Sequence, residues 1–172
     1  LTFFLFGIMT MKTDELYQTY FPDVFRYLKR FIADAQAEEL AQEVFIKANK
    51  GIDSFRGDAS PKTWVYRIAT NSLRDYLRSK SYRHENITKH IPEQELEKCP
   101  CESDEEMSEE QAFIRKEMND CIMEYILRLP DNYSTVLVLS DIEGHLNREI
   151  ADILELSLDT VKIRLHRARA KL

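Results

Sequence analysis

The chain has 172 residues and a formal net charge of −6, and 44% of its residues are hydrophobic. This length accommodates one ordinary domain or two small ones, which excludes a large multidomain protein. Only 4 glycines and 5 prolines occur, so the composition favours an almost entirely helical, soluble globular protein.

The first ten residues differ from the rest of the chain. Residues 1–8 are apolar, but this run is too short to span a bilayer and lacks the positive charge and cleavage site of a signal peptide. Met11 is typical of a natural start. We therefore expect residues 1–10 to be a non-native or upstream extension without membrane insertion; a weak membrane or partner contact is the alternative.

Three helices are predicted between residues 11 and 81. Apolar periodicity predicts the first over residues 16–33 and the second over residues 36–50. A loop follows at residues 52–60, and Pro61 suits the first turn of a third helix that extends to about residue 80. We expect these helices to form one compact domain.

The second predicted helix is acidic and amphipathic. Acidic, amide and apolar residues alternate in its first half: Glu38, Glu39, Leu40, Gln42, Glu43, Val44 and Phe45. An acidic helix next to a basic one favours docking of another protein. The alternative is that this acidic face is simply solvated.

The third predicted helix carries basic, aromatic and amide side chains. Helical spacing places four of them in one outward stripe: Arg67, Asn71, Arg74 and Arg78. Trp64 lies at the edge of this stripe, and we expect Tyr66 to be exposed nearby. Cations bind phosphates, rings stack on bases and an amide can read a base edge, so the pattern favours single-stranded nucleic acid. The alternative is a core tryptophan beside a solvated face.

A predicted linker, residues 82–109, separates this domain from the next. Nine acidic residues and one lysine lie between positions 93 and 110, so this stretch carries a net charge of −8. The rest of the chain is therefore slightly positive, and the overall acidity does not exclude a nucleic-acid partner. We expect the linker to be flexible.

The cysteines bear on location and on metal binding. Their odd number, three, and the lack of an evident disulfide framework indicate a reducing compartment, so we expect a cytoplasmic protein. We expect Cys121 to be a core thiol. Four residues of the linker could in principle bind zinc, but their spacing matches no standard zinc site, so no cofactor is expected. These residues are His84, His90, Cys99 and Cys101.

Four helices are predicted in residues 110–172. The first begins near Ser108 and ends at Pro130, and the second spans residues 133–142 and stops at Gly144. The apolar face expected on the first of these helices consists of Met118, Cys121, Ile122, Tyr125, Ile126 and Leu129. The remaining two helices complete the chain.

Residues 147–172 have the pattern of a helix-turn-helix, in which the second helix enters the DNA major groove. We expect Ser157 to cap the second helix and Asp159 to favour its first turn. The apolar positions of the two helices are Ile150, Ala151 and Leu154, then Val161, Leu165, Ala168 and Leu172. The remaining surface of the second helix is basic, with no acidic residue after Asp159. The alternative is a solvated basic helix on a bundle.

Three segments carry a family resemblance. Residues 34–48 (DAQAEELAQEVFIKA) resemble the polymerase-binding helix of bacterial sigma factors, and residues 55–78 (FRGDASPKTWVYRIATNSLRDYLR) resemble their promoter-melting segment. Residues 129–172 resemble the domain that reads the upstream promoter element. Two domains and nothing else are typical of the extracytoplasmic-function (group IV) class of the sigma-70 family. The resemblance covers roughly residues 16–81 and 110–172.

The resemblance implies a sigma factor that binds core RNA polymerase and promoter DNA, often under the control of an anti-sigma factor in a stress or envelope response. Polymerase binding is implied for Glu39, Leu40, Gln42, Glu43 and Phe45. Recognition and melting of the minus-ten element are implied for Arg56, Lys62, Trp64, Arg67, Asn71, Arg74 and Arg78. Recognition of the minus-thirty-five element is implied for Thr160, Lys162, Ile163, Arg164, His166, Arg167 and Arg169. The acidic linker would thread the polymerase channels.

The helix-turn-helix departs from the family pattern at Glu155, where such turns commonly carry glycine. A non-glycine residue in a left-handed turn costs roughly 1 kcal/mol, so the turn is expected to differ locally. Two other kinds of protein fit parts of the pattern: a helix-turn-helix regulator that does not bind polymerase, and an interaction module for an acidic partner. We do not expect an enzyme, because no nucleophile–base pair or phosphate loop is evident.

Overall fold

The computed structural model describes residues 13–52, 55, 57–79 and 122–172, and within these ranges it contains helices and no strand. The prediction of an all-α fold is therefore confirmed. The first three helices are α1 (Thr13–Lys29), α2 (Asp34–Gly51) and α3 (Pro61–Arg78). The other four are α4 (residues 122–128), α5 (Asp131–Leu137), α6 (Asn147–Leu154) and α7 (Leu158–Arg169). A π-helical turn, Val138–Ile142, continues α5 directly.

Helices α1, α2 and α3 pack into a first bundle. Its core is formed by apolar side chains from all three helices: Val24, Leu28, Ala41, Val44, Val65 and Ala69. One polar contact lies among them, because the Tyr27 hydroxyl and Thr70 Oγ1 are 3.1 Å apart and both residues are buried. Burial raises the pKa of Tyr27, so its hydroxyl stays protonated and available for this hydrogen bond.

Helices α5, α6 and α7 form a second bundle together with the π-helical turn. Its core draws on α5, the π-helical turn and the last two helices: Val136, Leu137, Leu139, Ile150, Ile153, Val161, Leu165 and Ala168. The predicted apolar face of α4 is wrong in part, since Ile126 is buried but Ile122 and Tyr125 are exposed. Leu172 is also exposed, because α7 ends at Arg169 before the chain can return to the core. Met118 and Cys121 lie outside the described residues.

The two bundles contact each other through α3 and α6. Arg67 Nε on α3 donates a hydrogen bond of 2.7 Å to the carbonyl oxygen of Asp152 on α6. The loop after the π-helical turn also reaches the first bundle, where Glu143 binds Arg30 and Tyr66. The predicted linker and the extension at residues 1–10 lie outside the described residues.

Among the described helices, none combines the length and the apolar character that crossing a membrane requires.

Candidate nucleic-acid interface

The helix-turn-helix is built from α6, a three-residue turn and α7. Glu155 adopts the left-handed conformation (φ 54°, ψ 46°) that glycine usually supplies. The turn therefore does not differ locally, contrary to our expectation, and the backbone accepts the strain of about 1 kcal/mol. The amide of Leu156 donates to the carbonyl oxygen of Ala151 (2.9 Å), which closes the end of α6.

Side chains fix the beginnings of both helices. Ser157 Oγ accepts a hydrogen bond of 3.2 Å from the amide of Thr160, so the predicted N-cap of α7 is confirmed. At the start of α6, the Glu149 carboxylate accepts a hydrogen bond of 2.8 Å from the amide of Leu146. The start of each helix is therefore fixed by local contacts that the sequence encodes.

Helix α7 has a buried face and a basic exposed face. Val161, Leu165 and Ala168 are buried against the second bundle. The residues predicted to face the minus-thirty-five element are exposed or half-buried: Thr160, Lys162, Ile163, Arg164, His166, Arg167 and Arg169. The arrangement presents cations on one side of a helix, as a DNA-reading helix does.

One of these cations already has a partner in the same bundle. Arg169 Nη2 lies 2.6 Å from Asp141 Oδ1, and Arg169 Nε lies 3.1 Å from Asp141 Oδ2. This bidentate contact lowers the pKa of the Asp141 carboxyl. The carboxylate therefore offsets the charge of Arg169, and any phosphate contact by Arg169 would compete with it.

The stripe on α3 is partly exposed. Arg78 is exposed, and Asn71 and Arg74 are half-buried. Arg74 Nη1 donates a hydrogen bond of 3.1 Å to Asn71 Oδ1. Trp64 packs on Phe55 with ring centroids 5.0 Å apart, so it is partly buried at the edge of the stripe. Arg56 lies outside the described residues.

The predicted exposure of Tyr66 is wrong. Its side chain is fully buried, with its ring 4.5 Å from that of His145 and its hydroxyl bound to Glu143. Tyr66 is covered by residues of the second bundle, which lie about 80 residues later in the chain. The periodicity of one helix cannot reveal a contact with residues so far away in the sequence. Lys62 Nζ lies 5.8 Å from the centroid of the Tyr66 ring, at the rim of this buried site.

The acidic helix α2 presents polar and apolar side chains together. Glu39, Gln42 and Glu43 are exposed, as a docking surface requires, whereas Leu40 and Phe45 are only 5% exposed and pack in the core. Ile46, which the sequence pattern did not single out, is 55% exposed and lies on the same helix. Tyr17 on α1 is exposed as well, and its ring lies 5.2 Å from that of Phe45. The face therefore combines acidic residues with an apolar patch.

A groove of about 560 Å³ lies between the bundles. Its walls include apolar residues of both bundles, such as Phe31, Leu73 and Leu156. Arg74 and Arg78 of α3 line it together with Arg164 of α7, so the two predicted DNA-binding helices place cations around one space. Asp131 of α5 contributes the one carboxylate among these lining residues, so the walls of the groove carry a net positive charge.

The zinc alternative is not tested, because His84, His90, Cys99 and Cys101 lie outside the described residues. Within the described ranges, no group of three or more His, Cys, Asp or Glu residues is placed to hold a metal ion.

Comparisons with known proteins place these features in context. The family model Sigma-70 region 2 matches residues 16–83, and the model Sigma-70, region 4 matches residues 119–172. The RNA polymerase sigma-H factor of Pseudomonas aeruginosa is 32% identical over 157 residues, which are 91% of this chain and 81% of that factor. The ECF RNA polymerase sigma factor SigW of Bacillus subtilis is 37% identical over 137 residues, or 80% of this chain and 73% of that factor.

A solved structure has a similar fold. It is that of the sigma factor RpoE in complex with the anti-sigma factor NepR from Bartonella quintana, with a TM-score of 0.66 and 18% sequence identity. The match covers 94% of both chains.

Proposed function

Because the chain belongs to the extracytoplasmic-function class of the sigma-70 family, we propose that it directs bacterial RNA polymerase to specific promoters and melts the DNA there. The observation that carries this proposal is the division of surfaces among three helices. The basic faces of α3 and α7 lie on different bundles, and the acidic and apolar face of α2 is separate from both.

The face of α2 is the proposed contact with core polymerase, which places the chain in the cytoplasm with that enzyme. Glu39 and Glu43 are exposed and supply negative charge, with Glu43 also paired to Lys47 at 2.8 Å. Gln42 supplies an exposed amide, and Ile46 supplies exposed apolar area. Leu40 and Phe45 support this face from below, because both are buried. Aliphatic side chains of this size contribute about 1.5–3 kcal/mol when an interface buries them fully, so Ile46 is a strong candidate anchor.

Helix α3 is proposed to capture the unwound non-template strand at the minus-ten element. Arg74 and Arg78 would bind phosphates, and Asn71 would bind a base edge. Unpairing DNA costs about 1.4 kcal/mol per base-pair step, and stacking or binding one extruded base returns about 1–3 kcal/mol. A few captured bases are therefore enough to hold a short melted segment open.

Helix α7 is proposed to bind duplex DNA at the minus-thirty-five element. Lys162, His166 and Arg167 are exposed on one side of it, and Arg164 lies beside them. Each phosphate contact makes binding more sensitive to salt, with a slope of about −0.9 in log K against log salt per neutralised phosphate. We also propose that an anti-sigma factor regulates the chain in a stress or envelope response, as is common in this class.

The proposal is tested by run-off transcription and by binding to core polymerase. Ile46→Asp should lose core binding, because it places a charge in the contact. Ile122→Asp is the matched control, since Ile122 is an exposed isoleucine of α4, away from α2 in the chain. The absence of stimulated transcription on every genomic promoter, or equal core binding by both variants, would contradict the proposal. A chain that binds duplex DNA and ignores polymerase would instead be the helix-turn-helix regulator considered above.

A further inference from the structure

Glu143 joins the two bundles through its buried carboxylate. Its side chain is 8% exposed and follows the π-helical turn of the second bundle. Oε1 accepts a hydrogen bond of 3.0 Å from Arg30 Nε, at the end of α1, and Oε2 accepts one of 2.8 Å from the Tyr66 hydroxyl on α3. Both oxygens of one carboxylate are thus held by two elements of the other bundle.

The chain around Glu143 is shaped to reach this position. The amide of Glu143 donates a hydrogen bond of 2.9 Å to the carbonyl oxygen of Val138, and this bond closes the π-helical turn. Gly144 follows with a positive φ of 70°. The amide of His145 then donates a hydrogen bond of 2.9 Å to the carbonyl oxygen of Leu139. The wider turn and the glycine together direct Glu143 and His145 towards Tyr66.

A second contact involves a residue of the proposed DNA stripe. Arg67 Nε donates a hydrogen bond of 2.7 Å to the carbonyl oxygen of Asp152 on α6. In this arrangement Arg67 Nε is bound to the helix-turn-helix, so a contact between Arg67 and nucleic acid competes with this hydrogen bond.

We propose that this arrangement is a closed, autoinhibited state of the chain, held by Glu143 as a latch, and that it must open before both promoter elements can be bound. The inference rests on the proposed function. The two elements are about 25 base pairs apart, which is about 85 Å of duplex at 3.4 Å per base pair. Helices α3 and α6 are in direct contact, so the closed state cannot span that distance.

Closure also has unfavourable features that opening relieves. Arg74, Arg78 and Arg164 share one groove in which Asp131 is the one acidic lining residue. Within the described part of the chain, His145 Nε2 is buried without a hydrogen-bond partner. Hydrogen bonds to a buried carboxylate oppose these costs and are stronger than those between neutral groups. The hydrogen bonds of Glu143 thus add to the packing of α3 on α6 in holding the closed state.

The test uses the full chain and compares Glu143→Gln with Glu124→Gln. Glu124 undergoes the same chemical change, but its partner Arg128 lies one turn away on the same exposed helix. Small-angle X-ray scattering measures the radius of gyration, and fluorescence anisotropy measures binding to forked promoter DNA in the absence of polymerase. We expect Glu143→Gln to increase the radius of gyration and to bind forked DNA about tenfold more tightly, as losing charged hydrogen bonds predicts. Glu124→Gln should match the unmodified chain in both measurements.

A charge exchange separates opening from misfolding. Arg30→Glu and Glu143→Arg should each open the chain, and the double variant should return the radius of gyration towards the closed value. A double variant that remains folded by circular dichroism but as open as the single variants would overturn the latch. So would an unmodified chain that is as extended as Glu143→Gln.

Transcription assays distinguish this failure from failure of the proposed function. If Glu143→Gln opens the chain but neither it nor the unmodified chain stimulates core polymerase, the latch stands and the proposed function is wrong. If both stimulate polymerase but the radius of gyration is unchanged by Glu143→Gln, the proposed function stands and the latch is wrong.

Discussion

Removing the Tyr66 hydroxyl is the most specific perturbation of the contact between the bundles. Tyr66→Phe deletes one oxygen, leaves the ring packed on His145, and removes the hydrogen bond of 2.8 Å to Glu143. Burial and the neighbouring Glu143 carboxylate both raise the pKa of Tyr66, so its phenol is a protonated donor at every ordinary pH. The full effect of the lost donor should therefore be measurable without titrating the tyrosine.

The magnitude follows from the charge of the acceptor. A hydrogen bond to a charged group contributes about 1.5–3 kcal/mol, and about 1.4 kcal/mol corresponds to a factor of ten. Tyr66→Phe should thus shift the ratio of closed to open chains towards the open form by about tenfold or more. Small-angle scattering should detect this shift as an increased radius of gyration.

Tyr27→Phe is the control for the same chemical change. It removes a buried hydroxyl that pairs with Thr70 within the first bundle, 3.1 Å away. A neutral pair contributes about 0.5–1.5 kcal/mol, so Tyr27→Phe should lower the free energy of unfolding without opening the chain. If Tyr66→Phe leaves the radius of gyration unchanged, or if both variants change it equally, the assigned role of Glu143 is refuted.

Three further predictions concern pH, melting and helix capping. Burial and the nearby Lys62 lower the pKa of His145 below its ordinary value of 6.5, with Glu149 and Glu143 opposing the shift in part. Since His145 binds a proton less readily in the closed form, protonation favours the open form, and the radius of gyration should rise as pH falls below about 6.5. His145→Gln should remove this pH dependence. A pH response that persists in His145→Gln would contradict the role given to His145. Asn71→Ala should reduce promoter opening, measured by permanganate reactivity, more than it reduces core binding; equal losses would show that Asn71 has no specific role in melting. Ser157→Ala should weaken duplex binding, because it destabilises the start of α7 by about 0.5–2 kcal/mol. Ser60→Ala removes the equivalent cap of α3 and should weaken strand capture instead. The same binding defect in both variants would contradict the assignment of duplex binding to α7 and strand capture to α3.

Features set by neighbouring residues were predicted well from the sequence. The all-α fold, the start of α3 at Pro61 and the cap at Ser157 depend on contacts within one turn of helix. The second and third helices therefore agree with prediction to within two residues at each end. Local patterns are sufficient for these features because their energy comes from nearby backbone and side-chain groups.

Features set by distant residues were not predicted. Tyr66 shares its helix with basic residues and was assigned to the outer surface, but Glu143 and His145 cover it. Glu143 itself is a single acid in a loop, and no sequence pattern distinguishes it from a solvated residue. The π-helical turn was also missed, since the apolar spacing of one turn does not separate α-helix from π-helix.

The contact between the bundles has a consequence for how ligands act together. If separation of α3 from α6 is one event, the melted strand on α3 and the duplex on α7 both draw on the same open population. Each ligand then raises the affinity of the chain for the other by the same factor. That factor cannot exceed the ratio of all chains to open chains in the absence of ligand, so this small fold can make the binding of one promoter element cooperative with the binding of the other.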